Sequence, residues 1–293
     1  MNDLPQTERS NPGSKGLDLL ATRDLVALLA AQQREAVDAV SARSDEIADV
    51  VAVIAARLGD GGRLHYIGAG TSGRLGTLDA AEMIPTFGTP PDLVCAHIAG
   101  GAVALTRAVE GAEDDADAGA TEMRAHVGRR DAVIGISASG NAPYVAGALK
   151  AAREIGAFTV ALVNAQPSAA ENAAERTIVL ATGAEPLTGS TRLKAGTAQK
   201  IALNTISTAV MVRLGKVYDN LMIDVVATNR KLRDRALRLV RELSNVDDAT
   251  ASDLLARSGG SVKVAVVMAA RGVDAERAKH LLDERRGFLR DLL

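Results

Sequence analysis

Five short apolar runs, mostly β-branched, punctuate the middle of the chain at 64–67, 93–96, 132–136, 159–163 and 177–180. Stretches with helical spacing of apolar residues separate them. This alternation predicts an α/β fold, a parallel sheet with helices on both faces. Ligands in such sheets bind beyond the carboxyl ends of the strands. Ahead of the first run, Leu25, Leu28 and Leu29, then Val37 and Val40, then Ile47, Val50, Val51 and Ile54 recur at helical spacing and predict two helices over 17–58. After the last run, 191–214 is apolar on most faces and predicts a long buried helix that Gly215 ends. A further helix is expected over 222–243, with Lys231, Arg233, Arg235, Arg238 and Arg241 as a solvated basic face. Beyond Asn245, breaks at Gly259, Gly260 and Gly272 predict three short helices. The expected domains are a polar arm at 1–16, a sheet domain with flanking helices at 17–243 and a small helical domain at 244–293.

Composition narrows the class. Apolar residues make up 47% but aromatics only 2%, with no Trp, so Ala, Val, Leu and Ile must fill the core. A net charge of -2 gives no reason to expect a nucleic acid or an anionic membrane as partner. Cys95 stands alone, which excludes an intrachain disulfide and fits a reducing cytoplasm. No segment has the apolar length to span a bilayer. The start carries Asp3, Glu8, Arg9 and Lys15 without an apolar core, so no secretory signal is expected and the protein reads as cytoplasmic.

Two loops carry candidate chemistry. After the first run, Gly68, Gly70 and Gly73 permit a sharp turn and close approach to an anion, and Thr71 and Ser72 add hydroxyls before a helix start. The letters fit a dinucleotide pattern, but the next run ends without the acid that would hold a ribose. A compact phosphate monoester suits the loop better. After the third run, Ser137, Ser139 and Asn141 precede Pro143 at the start of another helix. Glu82, among Ala, Met and Ile, is expected to be partly buried and suited to proton donation. Glu113 is either a second catalytic acid or one of several helix-start acids. On an unbroken helix Glu82 lies roughly 13 to 15 Å from the loop, too far for a hexose 6-phosphate. Either the helix ends early or bends, or Glu82 serves a site completed by another subunit, and the second is favoured. His65, His97, His126 and His280 show no metal-ligand spacing and read as core or surface histidines. A serine-hydrolase elbow, a Walker lysine and a C-x-x-C pair are all missing.

The motifs GAGTSGRLGTLDAAE at 68–82, PTFGTPP at 85–91, AVEGAEDD at 108–115, GSTRLKAGTAQK at 189–200 and VRLGKVYDNLMIDVVATNR at 212–230 resemble those of the N-acetylmuramic acid 6-phosphate etherase family, as does TERSNP at 7–12. The resemblance implies a sugar isomerase (SIS) fold with a five-stranded parallel sheet, a small C-terminal all-helical domain and a homodimer. It also implies cleavage of a lactyl ether to N-acetylglucosamine 6-phosphate and D-lactate in cell-wall recycling, without metal or organic cofactor. Its catalytic glutamates fall on Glu82, taken as acid, and Glu113, taken as base. Gly70, Thr71, Ser72, Gly73, Ser137, Ser139, Asn141 and Lys194 form the expected substrate and phosphate set, with Lys194, like Arg192, either neutralising phosphate or the lactate carboxylate or serving only as a structural helix-start residue. The chain departs from the family pattern at Met83, Ile84, Ala102, Ser137 and Ala142. An amino-sugar phosphate isomerase and a sugar-phosphate sensor are the competing readings; neither would release lactate.

Overall fold

The computed structural model describes residues 4–225 and 230–293. Three residues of the expected arm and positions 226–229 of the last motif lie outside the described residues. In chain order the elements are α1 (Thr22–Gln32), α2 (Arg34–Ser41), α3 (Ser44–Gly59), β1 (Leu64–Gly68), α4 (Gly70–Phe87), β2 (Val94–Ile98), α5 (Ala116–His126), β3 (Ala132–Ser137), α6 (Pro143–Ile155), β4 (Phe158–Val163), α7 (Ala169–Ala173), β5 (Arg176–Val179) and α8 (Lys194–Arg213). Then come the hairpin β6 (Val217–Tyr218) and β7 (Leu221–Met222), and helices α9 (Arg230–Ser244), α10 (Asp248–Arg257), α11 (Val262–Arg271) and α12 (Ala275–Glu284).

All five predicted runs are strands, and they pair in parallel in the order β2-β1-β3-β4-β5. Every residue of β1, β3 and β4 is buried, which is why they read as continuous apolar runs. The order places β1 beside β3 while the chain leaves them toward opposite edges. The loops after β1 and β3 therefore open into one crevice, the switch point where such sheets bind ligands.

Two expectations are corrected. The stretch 17–58 forms three helices, not two, because the chain breaks at Gln33 and again at Ala42–Arg43 without Pro or Gly to announce it. Residue 222 belongs to a hairpin, and the next helix starts at Arg230. The hairpin turns at Asp219-Asn220, with Asp219 at φ 52, a conformation that Asp and Asn tolerate.

Contacts divide the chain into two compact units, 1–80 with 92–207, and 81–91 with 208–293. The first holds the sheet. The second holds the hairpin and α9–α12 around Leu239, Val240, Val266 and Val267. There α9 packs against α10 and α11, so the expected boundary at 244 falls inside this unit. Its buried Lys263 is neutralised by Asp224 at 2.9 Å, which also pairs with Lys216 at 3.2 Å.

Candidate functional site

Backbone sterics shape the crevice. A Cβ on Gly73 would stand 2.7 Å from the carbonyl oxygen of Gly68, so this glycine lets the first turn of α4 press against the end of β1. In the second loop Gly140, at φ 71, lets the chain pass Ser168, whose Cβ a side chain would meet at 2.4 Å. The result is a cleft of about 380 Å³. Gly70, Thr71 and Ser72 line it from the first loop, Ser137, Ser139 and Asn141 from the second, and Glu113 from a neighbouring turn. Glu8, Asp114, Gly189 and Thr191 also line it and were not foreseen. Gly73 and Lys194 do not.

The hydroxyls divide by role. Ser137 Oγ accepts the Gly140 amide at 3.0 Å and Ser139 Oγ accepts the Asn141 amide at 3.2 Å. Each keeps its proton to donate to a ligand oxygen. Ser72 instead donates to Gln199 Oε1 at 2.8 Å, and Gln199 donates to Asn164 Oδ1 at 2.9 Å. Asn141 Oδ1 accepts the Ala169 amide at 3.0 Å and so fixes the start of α7. The cleft is lined by three carboxylates, Glu8, Glu113 and Asp114, and among the described residues by no Lys or Arg. Attraction for an anion therefore comes from hydroxyls, backbone amides and the helix starts of α4 and α6.

In the acid run at 110–115, Asp115 caps α5 by accepting the Ala118 amide at 2.8 Å. Glu113 is left exposed in the cleft, in a turn that Gly111 opens at φ 74. It makes no ion pair among the described residues.

Glu82 is exposed, not partly buried. Its neighbours Met83 and Phe87 turn inward, and Glu82, one step round the helix, faces solvent. Helix α4 runs from Gly70 to Phe87 in spite of Pro85, so an early end is ruled out. Nine residues at 1.5 Å each separate Glu82 from Gly73, roughly 13 Å along the axis.

Lys194 is also placed differently from expectation. It is buried, and its Nζ pairs with Glu35 Oε2 at 2.5 Å, on α2. The start of α8 is closed to a ligand anion, because Glu185 accepts the amides of Lys194 and Ala195 at 2.9 Å each. Nothing in the sequence marked Glu185, nine residues upstream. Beneath the first loop, Tyr66 donates to Asp79 Oδ2 at 2.8 Å, and Asp79 also accepts from Asn204 and Ser207. Burial first, and the Asp79 charge second, raise the Tyr66 phenol well above its ordinary range. The histidines are core (His65, His97) and surface (His126, His280) residues, as expected. His97 and His126 come together around Glu122, which their separation in sequence concealed.

Residues 46–153 match the family model of the glucokinase regulatory protein N-terminal SIS domain, and residues 108–209 match that of the SIS domain. A phosphoheptose isomerase from Francisella tularensis has a similar fold, with a TM-score of 0.53 at 18% identity, over 66% of this chain and 100% of that one. An N-acetylmuramic acid 6-phosphate etherase from Prochlorococcus marinus (strain MIT 9303) is 51% identical over 98% of this chain and 91% of that protein. The etherase of the same name from Deinococcus radiodurans is 48% identical over 100% of this chain and 96% of that protein. With half of its residues identical over almost its whole length, the chain belongs to the N-acetylmuramic acid 6-phosphate etherase family.

Proposed function

We propose that this protein is a carbon–oxygen lyase that cleaves the lactyl ether of N-acetylmuramic acid 6-phosphate to N-acetylglucosamine 6-phosphate and D-lactate, in amino-sugar recycling. The observation that carries this reading is the cleft at the β1/β3 switch point, where two hydroxyl-bearing loops and Glu113 converge in a chain half-identical to proteins of that name. Thr71, Ser137 and Ser139 hold the phosphate with amides of both loops. In the ring-opened sugar the C2 proton is α to the aldehyde, and Glu113 removes it. An acid then protonates the C3 ether oxygen, lactate leaves, and water adds at C3 of the unsaturated aldehyde while C2 regains a proton.

We assign the acid to Glu82 of a second protomer. Its position nine residues beyond Gly73 on a continuous helix favours this, as do Leu78 and Ile84, apolar yet 51% and 39% exposed on the same helix. The working form is then a homodimer with shared sites. Among the described residues no helix is long and apolar enough to cross a membrane, and we place the enzyme in the cytoplasm with its phosphorylated substrate.

Incubation with N-acetylmuramic acid 6-phosphate in deuterated water tests both parts. Lactate release with deuterium at C2 of the product is expected. Absence of lactate overturns the function, and lactate without C2 deuterium overturns the elimination–hydration route alone.

A further inference from the structure

At the edge of the sheet, away from the cleft lining, three side chains converge. Glu122 and His126 lie four residues apart on α5 and so share one face. His97 meets them from the edge strand β2. Glu122 Oε1 is 2.8 Å from His97 Nδ1 and 3.6 Å from His126 Nε2, and one ligand atom from each of the three residues falls within 4.8 Å of the others. Arg63 Nη2 donates to the His126 carbonyl oxygen at 2.6 Å, which fixes the end of α5.

Behind His97 stands a relay. His97 Nε2 lies 3.0 Å from His65 Nδ1, and His65 Nε2 approaches Asp131 Oδ2 at 3.3 Å. Both rings are buried, with side-chain exposures of 0% for His65 and 8% for His97, which favours neutral imidazoles. Two neutral imidazoles bring two N–H protons to three contacts. If the protons serve the His65–His97 and His97–Glu122 contacts, His65 Nε2 is left bare, and it is indeed a buried nitrogen without a hydrogen bond. A cation on His97 Nδ1 resolves the shortage. His97 Nε2–H then donates to His65, and His65 Nε2–H turns to the Asp131 carboxylate. No proton is gained or lost. Asp131 is itself held by the amides of Arg63 at 2.8 Å and Gly128 at 2.7 Å. The outer partner of His97 is therefore His65, with the Asp131 carboxylate one imidazole further back; a hydrogen-bond acceptor for the second ring N–H is what a ligating imidazole usually has.

We propose that His97, Glu122 and His126 form a binding site for one divalent transition-metal ion of the zinc class. Two imidazole nitrogens and one carboxylate oxygen suit that class, and three protein ligands leave a fourth position open. A cavity of about 480 Å³, lined in part by His97 and Glu122, gives water or a small ligand access to that position. The ion ties the last turn of α5 to strand β2. It stands apart from the ether-cleaving chemistry, since none of its ligands lines the substrate cleft.

The test uses the full-length protein freed of metal with a chelator and titrated with Zn²⁺ and Co²⁺. One equivalent of either should bind, Co²⁺ should develop visible d–d absorption bands, and Zn²⁺ should raise the melting temperature. Glu122→Gln and His126→Ala change side chains that are 39% and 53% exposed, so the fold is retained. Each should weaken binding by more than the roughly 10–100-fold that outer partners are worth, and should abolish the Zn²⁺-induced shift. His280→Ala removes a different exposed histidine, paired with Glu284 at 3.0 Å, and should leave binding intact. The proposal is overturned if no stoichiometric ion binds, if the two site variants bind as wild type does, or if His280→Ala removes binding.

Discussion

The Ser72 hydroxyl donates to Gln199 Oε1 at 2.8 Å, which commits to the protein a proton that the sequence seemed to reserve for phosphate. The chain continues through Asn164 to the carbonyl of Leu180 at 3.0 Å, so the first hydroxyl-bearing loop is anchored to α8 and to the residues that follow β4 and β5. Gln199→Leu strands the buried Ser72 hydroxyl and Asn164 carbonyl oxygen. The expected loss is about 1–3 kcal/mol of stability, read from urea unfolding. If the loop holds the phosphate as proposed, the KM for the sugar phosphate should rise more than kcat falls. An unchanged unfolding midpoint would refute the anchoring role.

Gly70 and Gly73 belong to one motif yet do different work. Gly70 sits at φ 52 with open space around a Cβ, so Gly70→Ala should cost about 1–2 kcal/mol of backbone strain and no more. An added Cβ on Gly73 would meet the Gly68 carbonyl oxygen at 2.7 Å and Ile98 Cγ1 at 2.6 Å. The backbone there cannot yield, so α4 must lift off β1 and carry the phosphate loop with it. Gly73→Ala should lower both melting temperature and kcat/KM further than Gly70→Ala. The reverse ranking would show that Gly73 is not the contact that sets the loop.

These cases show what the sequence made legible. The strands were readable because buried parallel strands are continuous apolar runs, and the two loops because glycines and hydroxyls cluster where the chain turns. Two-residue strands such as Val217–Tyr218 leave no periodicity to read. The breaks after α1 and α2 contain neither Pro nor Gly. The histidine cluster joins a strand to a helix, and only tertiary structure brings His97 to His126. Its one local trace was the four-residue spacing of Glu122 and His126.

For Lys194 the sequence leaves a ligand role and a structural role open, because its partner Glu35 is 159 residues away in sequence. A cation in a Gly/Ser/Thr motif stays open to a phosphate-ligand reading until that partner is seen. Since Glu35 is 51% exposed, losing the lysine leaves a carboxylate that water can solvate. Lys194→Met keeps the apolar stem and should lower stability by about 1 kcal/mol. Its KM for the sugar phosphate should stay within about twofold of wild type. A KM raised about tenfold or more would mean that the ammonium leaves Glu35 to reach the ligand.

Tyr66 offers a pH test. Its phenol pKa is raised in the folded chain, foremost by burial and then by Asp79, while the unfolded chain titrates near pH 10. Below that pH the contribution to stability is complete. As pH rises past 10, the unfolded chain releases a proton that the native chain retains, and stability falls. The chain has three Tyr and no Trp, so tyrosinate absorbance is unobstructed. Tyr66→Phe should leave the native absorbance titration unchanged and remove one of three equal steps in denaturant. A smaller native amplitude in the variant would show that Tyr66 ionises in the folded protein.

The proposed sharing of each active site between two protomers makes a sharper prediction than either glutamate alone. General acid–base groups typically contribute 10²–10⁴-fold, so Glu82→Gln and Glu113→Gln should each lower kcat by about that factor while sparing ligand binding. Exposed Glu113 in the cleft and exposed Glu82 on α4 can be separated genetically by placing one substitution on each chain. If a site takes Glu113 from one protomer and Glu82 from its partner, a mixed dimer has one site with both substitutions and one with neither. Random pairing makes half of the dimers mixed, so unfolding and refolding the two variants together should restore about a quarter of wild-type lactate release. If each site drew both glutamates from one chain, every site in the mixture would be damaged. Activity would then remain at the level of the single variants, and the shared-site reading would fall while the assignment of the two glutamates stood.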